Sequence, residues 1–330
     1  SDRLLSYFSY ENAQLTQVLL NEAIINELIF KVYELSPEDR SQVETKMGKP
    51  VGELPVLAEA RDAYISSSKI DNETVKKFIN ELETTSFEEN KIRQIKEDFA
   101  ILYQSNNDLE EFCIRHQVNP INVWHWFKEG KVLPQARAAE IALEFIADSI
   151  RTILANDDDG IIPLVGQLGE EKLLDRLEKH CIDNGLTQAQ FLQLEELLGR
   201  PLNDYLENNF FKDLSDHLNL FMYLPETPFI WHLSSGEHHG LEVYVSIYKW
   251  NRNNVFRLKS YVSKRVENLE YRQIQLKDSN TAQAQSEKET IRLQLQELQV
   301  FTKKIDELIA EGYDPKLDDG VGKNIAPLQK

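Results

Sequence analysis

Three histidines close together in the sequence are the first residues that could perform chemistry. His232, His238 and His239 lie within eight residues, with Glu237 beside them. A closed metal site needs three or four ligands in fixed geometry. A solvated polar loop with one histidine on a strand explains the same spacing, so we predict no metal ion here. The tip of a hairpin could instead touch a phosphate backbone, which makes Trp231 and His232 candidates for DNA contact.

A run of basic residues follows the histidines and suits nucleic-acid binding. The candidates for DNA contact are Lys249, Arg252, Arg257, Lys259, Lys264 and Arg265, with Arg272 further along. Trp250, Tyr261 and Tyr271 are interleaved with them. Positive charge next to aromatic rings favours a surface that follows a DNA backbone. The alternative is a solvated helix face whose cations pair with Glu267 and Glu270 at helical spacing.

A third segment has the spacing of a helix-turn-helix unit. Its apolar positions are Phe112, Val118, Val123 and Trp126. In a DNA reader, the second helix would direct Asn119, Asn122, His125 and Lys128 into a groove. Gln117 occupies the place that glycine usually takes before the turn, and acidic residues flank the unit. Many helical bundles contain such corners without binding DNA, and that alternative stays open.

Motifs of a complete active site are missing from the sequence. It contains no GxxxxGK[ST] phosphate loop, no GxGxxG, no HExxH and no GxSxG. It also lacks the Asn-Pro-Pro-Tyr type of turn with which amino-methyltransferases hold a flipped adenine. We therefore predict no catalytic residues and no cofactor site in this chain.

Most of the chain has helical periodicity, so helices must position these residues. Apolar residues at three- and four-residue steps predict a mainly α fold of helical bundles. The clear β signal is one hairpin, over 229–233 and 241–248. Two long helices, over 254–277 and 282–311, predict an antiparallel helical hairpin with a coiled-coil-like seam. An acidic turn at 156–160 marks a boundary, so we predict a domain over 1–156 containing the helix-turn-helix-like unit and a second over 157–330 containing both hairpins.

Composition limits the choice of partners. The formal net charge is −18, with 55 acidic and 37 basic side chains among 330 residues, so any DNA-binding surface must be local. Cys113 and Cys181 lie far apart and form neither a metal motif nor a disulfide framework, which favours a reducing cytoplasm. No apolar run approaches the length of a membrane span, so we expect no membrane partner.

Five segments of the chain have a distinctive order and residue type: 26–35 (NELIFKVYEL), 158–164 (DDGIIPL), 198–202 (LGRPL), 228–235 (PFIWHLSS) and 313–321 (YDPKLDDGV). Together they resemble segments of large single-chain adenine-specific DNA methyltransferases of the BREX/Pgl type and their relatives fused to restriction functions. The most telling is 228–235. One departure concerns the residues before it, where such enzymes often carry basic side chains and this chain has Leu224-Pro225-Glu226-Thr227.

The resemblance implies a parent protein that transfers a methyl group from S-adenosylmethionine to adenine N6 in double-stranded DNA, as part of phage defence. This chain would be its C-terminal, non-catalytic region, and the methyl-donor pocket would lie N-terminal to Ser1 or on another chain. Such a region would frame the DNA cleft and support target recognition. An alternative is a scaffold that docks to other defence-system subunits through acidic helices without touching DNA.

Overall fold

A computed structural model describes residues 2–67, 70, 72–102, 106–167, 169–219, 230–316, 324 and 326–329. The fold is mainly α-helical with one small antiparallel sheet, which confirms the predicted fold class. The chain divides into two compact units, Ser1–Glu140 (unit 1) and Ile141–Lys330 (unit 2).

Unit 1 is helical and is built around its first, 31-residue helix. Its helices are α1 (Asp2–Val32), α2 (Pro37–Met47), α3 (Ala58–Ser67), α4 (Glu73–Glu81), α5 (Glu89–Glu97), α6 (Asn106–His116) and α7 (Pro120–Gly130), with 3₁₀ turns at Val51–Glu53 and Asp98–Ile101. One face of α1 buries Leu19, Leu20 and Ala23 against these later elements. A Cβ on Gly52 would lie 2.8 Å from the Leu19 carbonyl oxygen, so glycine allows the first 3₁₀ turn to touch α1.

The division between the units falls inside helix α8 (Gln135–Asn156), whereas the sequence placed the boundary after residue 156. The apolar side chains of α8 between Ala142 and Leu154 are buried in a core of unit 2. Apolar burial therefore decides where the helix belongs, and the polar segment 157–160 is an internal turn of unit 2.

Unit 2 combines helices with a three-stranded sheet. Its elements after α8 are β1 (Ile161–Pro163), α9 (Leu173–Asp183), α10 (Gln188–Leu198), α11 (Leu202–Asn208), α12 (Phe210–Asn219), β2 (Ile230–Ser234), β3 (Glu242–Ser246), a 3₁₀ turn (Ile247–Lys249), α13 (Arg252–Gln275), α14 (Ala282–Ala310) and α15 (Ala326–Gln329). The predicted hairpin is present as β2 and β3, with Trp231 opposite Val245. Phe229, expected to begin the first strand, lies outside the described residues. Strand β1 was not predicted, and it pairs with the other side of β3.

The sheet has a hydrophobic core on each face. Ile162, Ile230 and Tyr244 pack with residues from α8 to α12, whereas Val243 and Val245 pack with residues of α13 and α14. Successive strand residues point to opposite faces, so a strand covered on both sides buries all of its side chains. This explains why all five residues of β3 are buried. The polar ones among them, such as Glu242, then need hydrogen-bond partners.

The predicted C-terminal helical hairpin is confirmed. Helices α13 and α14 pack against each other, and two ion pairs fix their antiparallel order. Lys259 near the start of α13 pairs with Asp306 near the end of α14, while Arg272 near the end of α13 pairs with Glu287 near the start of α14. The seam buries Ile291, Leu298 and Ile305 at seven-residue steps.

Candidate nucleic-acid interface

The histidine-containing loop of the hairpin is attached to α14 rather than free. Glu297 accepts hydrogen bonds from the Ser235 hydroxyl (2.5 Å), the His238 backbone N–H (2.6 Å) and the Gly240 backbone N–H (2.9 Å). Arg265 of α13 donates to the Gly240 carbonyl at 2.9 Å. Burial lowers the pKa of Arg265. Arg265, predicted to contact DNA, therefore fastens the loop to the helical hairpin.

His232 and Trp231 of β2 are also engaged within unit 2. The His232 ring nitrogen Nε2 contacts Oε2 of Glu242, and His239 Nδ1 lies 2.7 Å from Oε1 of the same carboxylate. Burial alone would raise the pKa of Glu242, but hydrogen bonds from His232 and Ser234 outweigh burial and lower it. Trp231 is 5% exposed and packs edge-on against Trp250. Neither Trp231 nor Glu242 is presented to a ligand, and His232 serves as the partner of a buried carboxylate.

The acidic turn before β1 is held against the start of α13. Asp157 Oδ1 accepts hydrogen bonds from the Asp159 and Gly160 backbone N–H groups, and its Oδ2 pairs with Arg176 at 2.6 Å. Lys249 donates from Nζ to the Ala155 carbonyl at 2.7 Å and to the Asp157 carbonyl. Lys249, another candidate for DNA contact, is thus part of the support of this turn.

Two of the predicted basic residues reach solvent without a partner. Arg252 and Arg257 are exposed on the first two turns of α13, and neither forms an ion pair with any residue that the structure describes. Lys264 is half-buried, with its Nζ 5.8 Å from the centre of the Tyr261 ring. Lys259 is paired with Asp306. The structure therefore leaves Arg252 and Arg257 as the candidates in unit 2 best placed to meet phosphate.

The helix-turn-helix corner exists in unit 1, but its second helix is largely buried. Asn119 caps α7 and donates to the Gly52 and Leu54 carbonyls. Asn122 is fully buried, and its amide accepts from the Leu57 backbone N–H at 2.8 Å and donates to the Pro55 carbonyl. Both amides bind backbone groups of the same unit and are not presented to a DNA groove, in contrast to the orientation expected from the sequence.

The other two predicted readers on α7 differ in exposure. His125 is 9% exposed and lies 3.5 Å from Glu129. Lys128 is exposed, with Nζ 4.9 Å from the centre of the Trp124 ring. Of the four α7 positions, Lys128 alone offers a charged group to solvent. One exposed cation beside Glu129 is a poor basis for groove recognition, which needs several base contacts.

Of the three aromatic rings that the sequence singled out around α13, Tyr271 is exposed, at 61%, and the other two are not. Trp250 and Tyr261 are buried in the core of unit 2, whereas Tyr248 is 70% and Phe256 47% exposed. Tyr248 lies in the 3₁₀ turn, two residues after the end of β3. Phe256 lies four residues after Arg252, on the side of the helix away from buried Val255 and Leu258. Helical periodicity could have identified Phe256 as exposed, but no periodic signal reaches Tyr248.

A cavity of about 450 Å³ opens where these elements meet. Its lining includes Asp158 from the acidic turn, Tyr248 from the 3₁₀ turn, and Asn253 and Arg257 from α13. Burial, together with the charge of Asp157, raises the pKa of Asp159 to about 6. The cavity therefore combines carboxylate acceptors, a guanidinium donor, an amide and an aromatic ring on one surface of unit 2.

Comparison with known proteins finds a similarity over part of the chain. No family model matches the chain. Over 134 residues the chain is 30% identical to a protein described as adenine-specific methyltransferase PglX from Lacticaseibacillus casei (strain Zhang). The alignment covers 38% of this chain and 11% of that protein, so the chain spans a small part of its relative's length. Part of the chain is thus similar in sequence to part of a protein described as a methyltransferase.

Residues 228–229 of the most telling segment, and residues 317–321 of the C-terminal one, lie outside the described residues. Within the described part of the chain, no helix has the length and apolar character needed to cross a membrane.

Proposed function

We propose that this chain is the C-terminal, non-catalytic region of a site-specific N6-adenine DNA methyltransferase of a phage-defence system, either BREX or restriction-modification, and that it supports DNA binding and target recognition. The similarity to PglX supports the methyltransferase relationship. On this proposal the parent protein uses S-adenosylmethionine, works in the cytoplasm and takes double-stranded DNA as its substrate. The methyl-transfer chemistry belongs to another part of that parent.

The DNA-binding part of this proposal is supported by the exposure of Arg252 and Arg257 at the start of α13. Exposed phenyl and phenol rings, Phe256 and Tyr248, lie beside them in sequence. Arginine donates to phosphate oxygens in a planar fork, and aromatic rings add contact with sugars and bases. An excess of 18 negative charges over the chain opposes this contact, so binding must be local and sensitive to salt.

The test is DNA binding by the full chain at two salt concentrations. Fluorescence anisotropy with a labelled duplex of about 20 base pairs should show binding near 50 mM salt that weakens strongly near 200 mM. The double variant R252E/R257E should reduce affinity at least tenfold and lower the slope of log affinity against log salt by about 2, because about one counterion is released per phosphate contact.

A matched control separates local contact from overall charge. Lys179 and Lys212 are exposed cations on α9 and α12 of the same unit. The variant K179E/K212E changes the net charge by the same amount and should leave affinity within about twofold. Absence of binding by the unmodified chain near 50 mM salt would contradict direct DNA contact. Equal losses in the two double variants would show that overall charge, not the start of α13, governs binding.

A second candidate function is protein docking, and the C-terminal half of α1 favours it. Ile25, Leu28, Ile29 and Val32 are between 43% and 77% exposed and recur at helical spacing. Exposed apolar stripes of this kind mark protein interfaces more often than isolated surface residues do. On this candidate, the partner is the remainder of a PglX-type methyltransferase.

Separate expression of the two parts tests the docking candidate. The chain and a PglX-type protein lacking this region should co-elute in size-exclusion chromatography after nuclease treatment. The variant I25E/V32E should abolish co-elution, whereas R252E/R257E should leave it intact. Independent elution of the two unmodified parts would eliminate this function.

A further inference from the structure

The cavity beside the start of α13 has side chains that the fold itself does not use. Tyr248 is 70% exposed, and Asp158, Asn253 and Arg257 are also exposed. Among the described residues, none of these four side chains forms a hydrogen bond or an ion pair within unit 2, although the charge of Arg257 favours the ionised form of the nearby Asp159. Four chemically different groups thus line one opening with their hydrogen-bonding capacity unused.

The walls of the cavity are, by contrast, held firmly. Asn254 donates to the Asp159 carbonyl at 2.5 Å, and its side-chain oxygen accepts from the Asn251 backbone N–H at 3.0 Å. Asn251 donates to the Lys249 carbonyl at 2.9 Å. These bonds tie the acidic turn, the 3₁₀ turn and the first turn of α13 to one another. A site whose supporting groups are fixed can present its remaining groups without a large ordering cost.

We propose that this cavity binds a nucleobase from an unpaired nucleotide, and that guanine is the base it prefers. The inference rests on the proposed function, since it names a nucleic-acid partner for the same end of α13. The cavity volume of about 450 Å³ lies within the range of small-ligand sites, roughly 300–1,000 Å³. Tyr248 supplies a ring on which a base stacks.

Guanine matches the polar groups of the cavity better than the other bases do. Its Watson–Crick edge carries adjacent N–H donors at N1 and N2, which suit one carboxylate such as Asp158. Its O6 and N7 are the acceptors that arginine binds in a bidentate manner, a role open to Arg257. Adenine lacks the adjacent pair of donors, and cytosine and thymine offer a smaller surface for stacking.

The neutral variant D158N separates base recognition from phosphate attraction, because the two predict opposite changes in affinity for strands that contain guanine. If the cavity only attracts phosphate, loss of the carboxylate removes a repulsive charge and tightens binding to every strand. If the carboxylate receives guanine N–H groups, D158N weakens binding to strands that contain guanine and to no others. Y248F retains the ring, whereas Y248A removes it.

The experiment measures anisotropy of labelled ten-nucleotide thymidine strands that carry one central guanine, adenine or cytosine, with the full chain. We expect the guanine strand to bind about tenfold more tightly than the others, D158N to remove this preference, and Y248A but not Y248F to weaken binding about tenfold. Equal binding of all strands, or uniform tightening by D158N, overturns the inference while leaving duplex binding through Arg252 and Arg257 intact. Loss of duplex binding with a surviving guanine preference would instead contradict the proposed function alone.

Discussion

Replacement of Asp159 by asparagine should stabilise unit 2 at pH 8 and have little effect at pH 4. Burial and the neighbouring charge of Asp157 raise the pKa of Asp159 from 3.8 to about 6. A carboxyl whose pKa is raised on folding favours the folded state below its unfolded pKa, and this contribution is lost as the pH rises through the folded pKa. The folded state of the unmodified chain therefore loses this stabilisation between roughly pH 4 and pH 6. D159N has no ionisable group at this position, so its stability does not change for this reason.

The size of the effect follows from the shift and from the position of the side chain. The full pKa difference corresponds to about 3 kcal/mol at about 1.4 kcal/mol per unit. Asp159 is only half-buried, and solvent screening reduces the expected gain in D159N to about 1 kcal/mol at pH 8. Asparagine retains a side-chain oxygen for the hydrogen bond that Asp159 accepts from the Ile161 N–H at 2.9 Å.

Hydrogen exchange across a urea series, followed on peptides from β3, measures the stability of unit 2 by itself. D158N is the matched control, because it removes the same charge from the exposed neighbouring residue and should change stability little at either pH. An equal effect of D159N at pH 4 and pH 8, or destabilisation at pH 8, would refute the assigned ionisation of Asp159.

Three further substitutions test the structural roles assigned above. E242Q should destabilise unit 2 by about 2 kcal/mol at pH 7 and by less at pH 3, as measured by urea denaturation at both pH values. The pKa of Glu242 is lowered on folding, so the stabilisation that its carboxylate gives disappears as the pH falls through that pKa. G160A should lower the melting temperature more than G185A does, since both glycines have positive φ but a Cβ on Gly160 would also lie 3.0 Å from two side chains, whereas nothing lies within 4 Å at Gly185. N122A should destabilise unit 1 by about 2 kcal/mol, because it leaves the buried Leu57 N–H and the partly buried Pro55 carbonyl without their partner. A loss of DNA affinity without a loss of stability would contradict the buried position of Asn122.

The fold was largely predictable because its main signals are local. Helical periodicity identified the helical hairpin of α13 and α14, and alternation with aromatic and β-branched residues identified the β2–β3 pair. Strand β1 was missed because three residues, Ile161–Pro163, are too short to show a period, and their pairing partner lies about 80 residues away. The two compact units divide inside α8, 16 residues before the boundary that turn chemistry suggests, because the burial of α8 depends on residues far along the chain.

The location of the candidate site, together with Arg252 and Arg257, could be proposed from the sequence, whereas the roles of the other candidate residues could not. The sequence marked the start of α13 as basic and aromatic, which the structure retains. It could not show that Lys249 and Arg265 would be used on backbone carbonyls, since those partners are distant in sequence. Asn122 has the residue type and spacing of a base reader, yet the same amide suits a buried backbone. Residue type gives hydrogen-bonding capacity, and tertiary structure decides which partner uses it.

Because the hairpin loop is bonded to Glu297, the loop cannot complete its folding until that later residue has been synthesised. Strands β2 and β3 leave the ribosome together, but the carboxylate that receives three of their loop's hydrogen bonds is made some 60 residues later. At translation rates of about 5–20 residues per second, the loop waits on the order of 3–12 seconds for its acceptor. A nascent chain that ends before α14 has all three strands, but one apolar face of its sheet lacks the α14 residues that cover it. Unit 2 therefore depends on its last long helix to complete a structure begun much earlier in the chain.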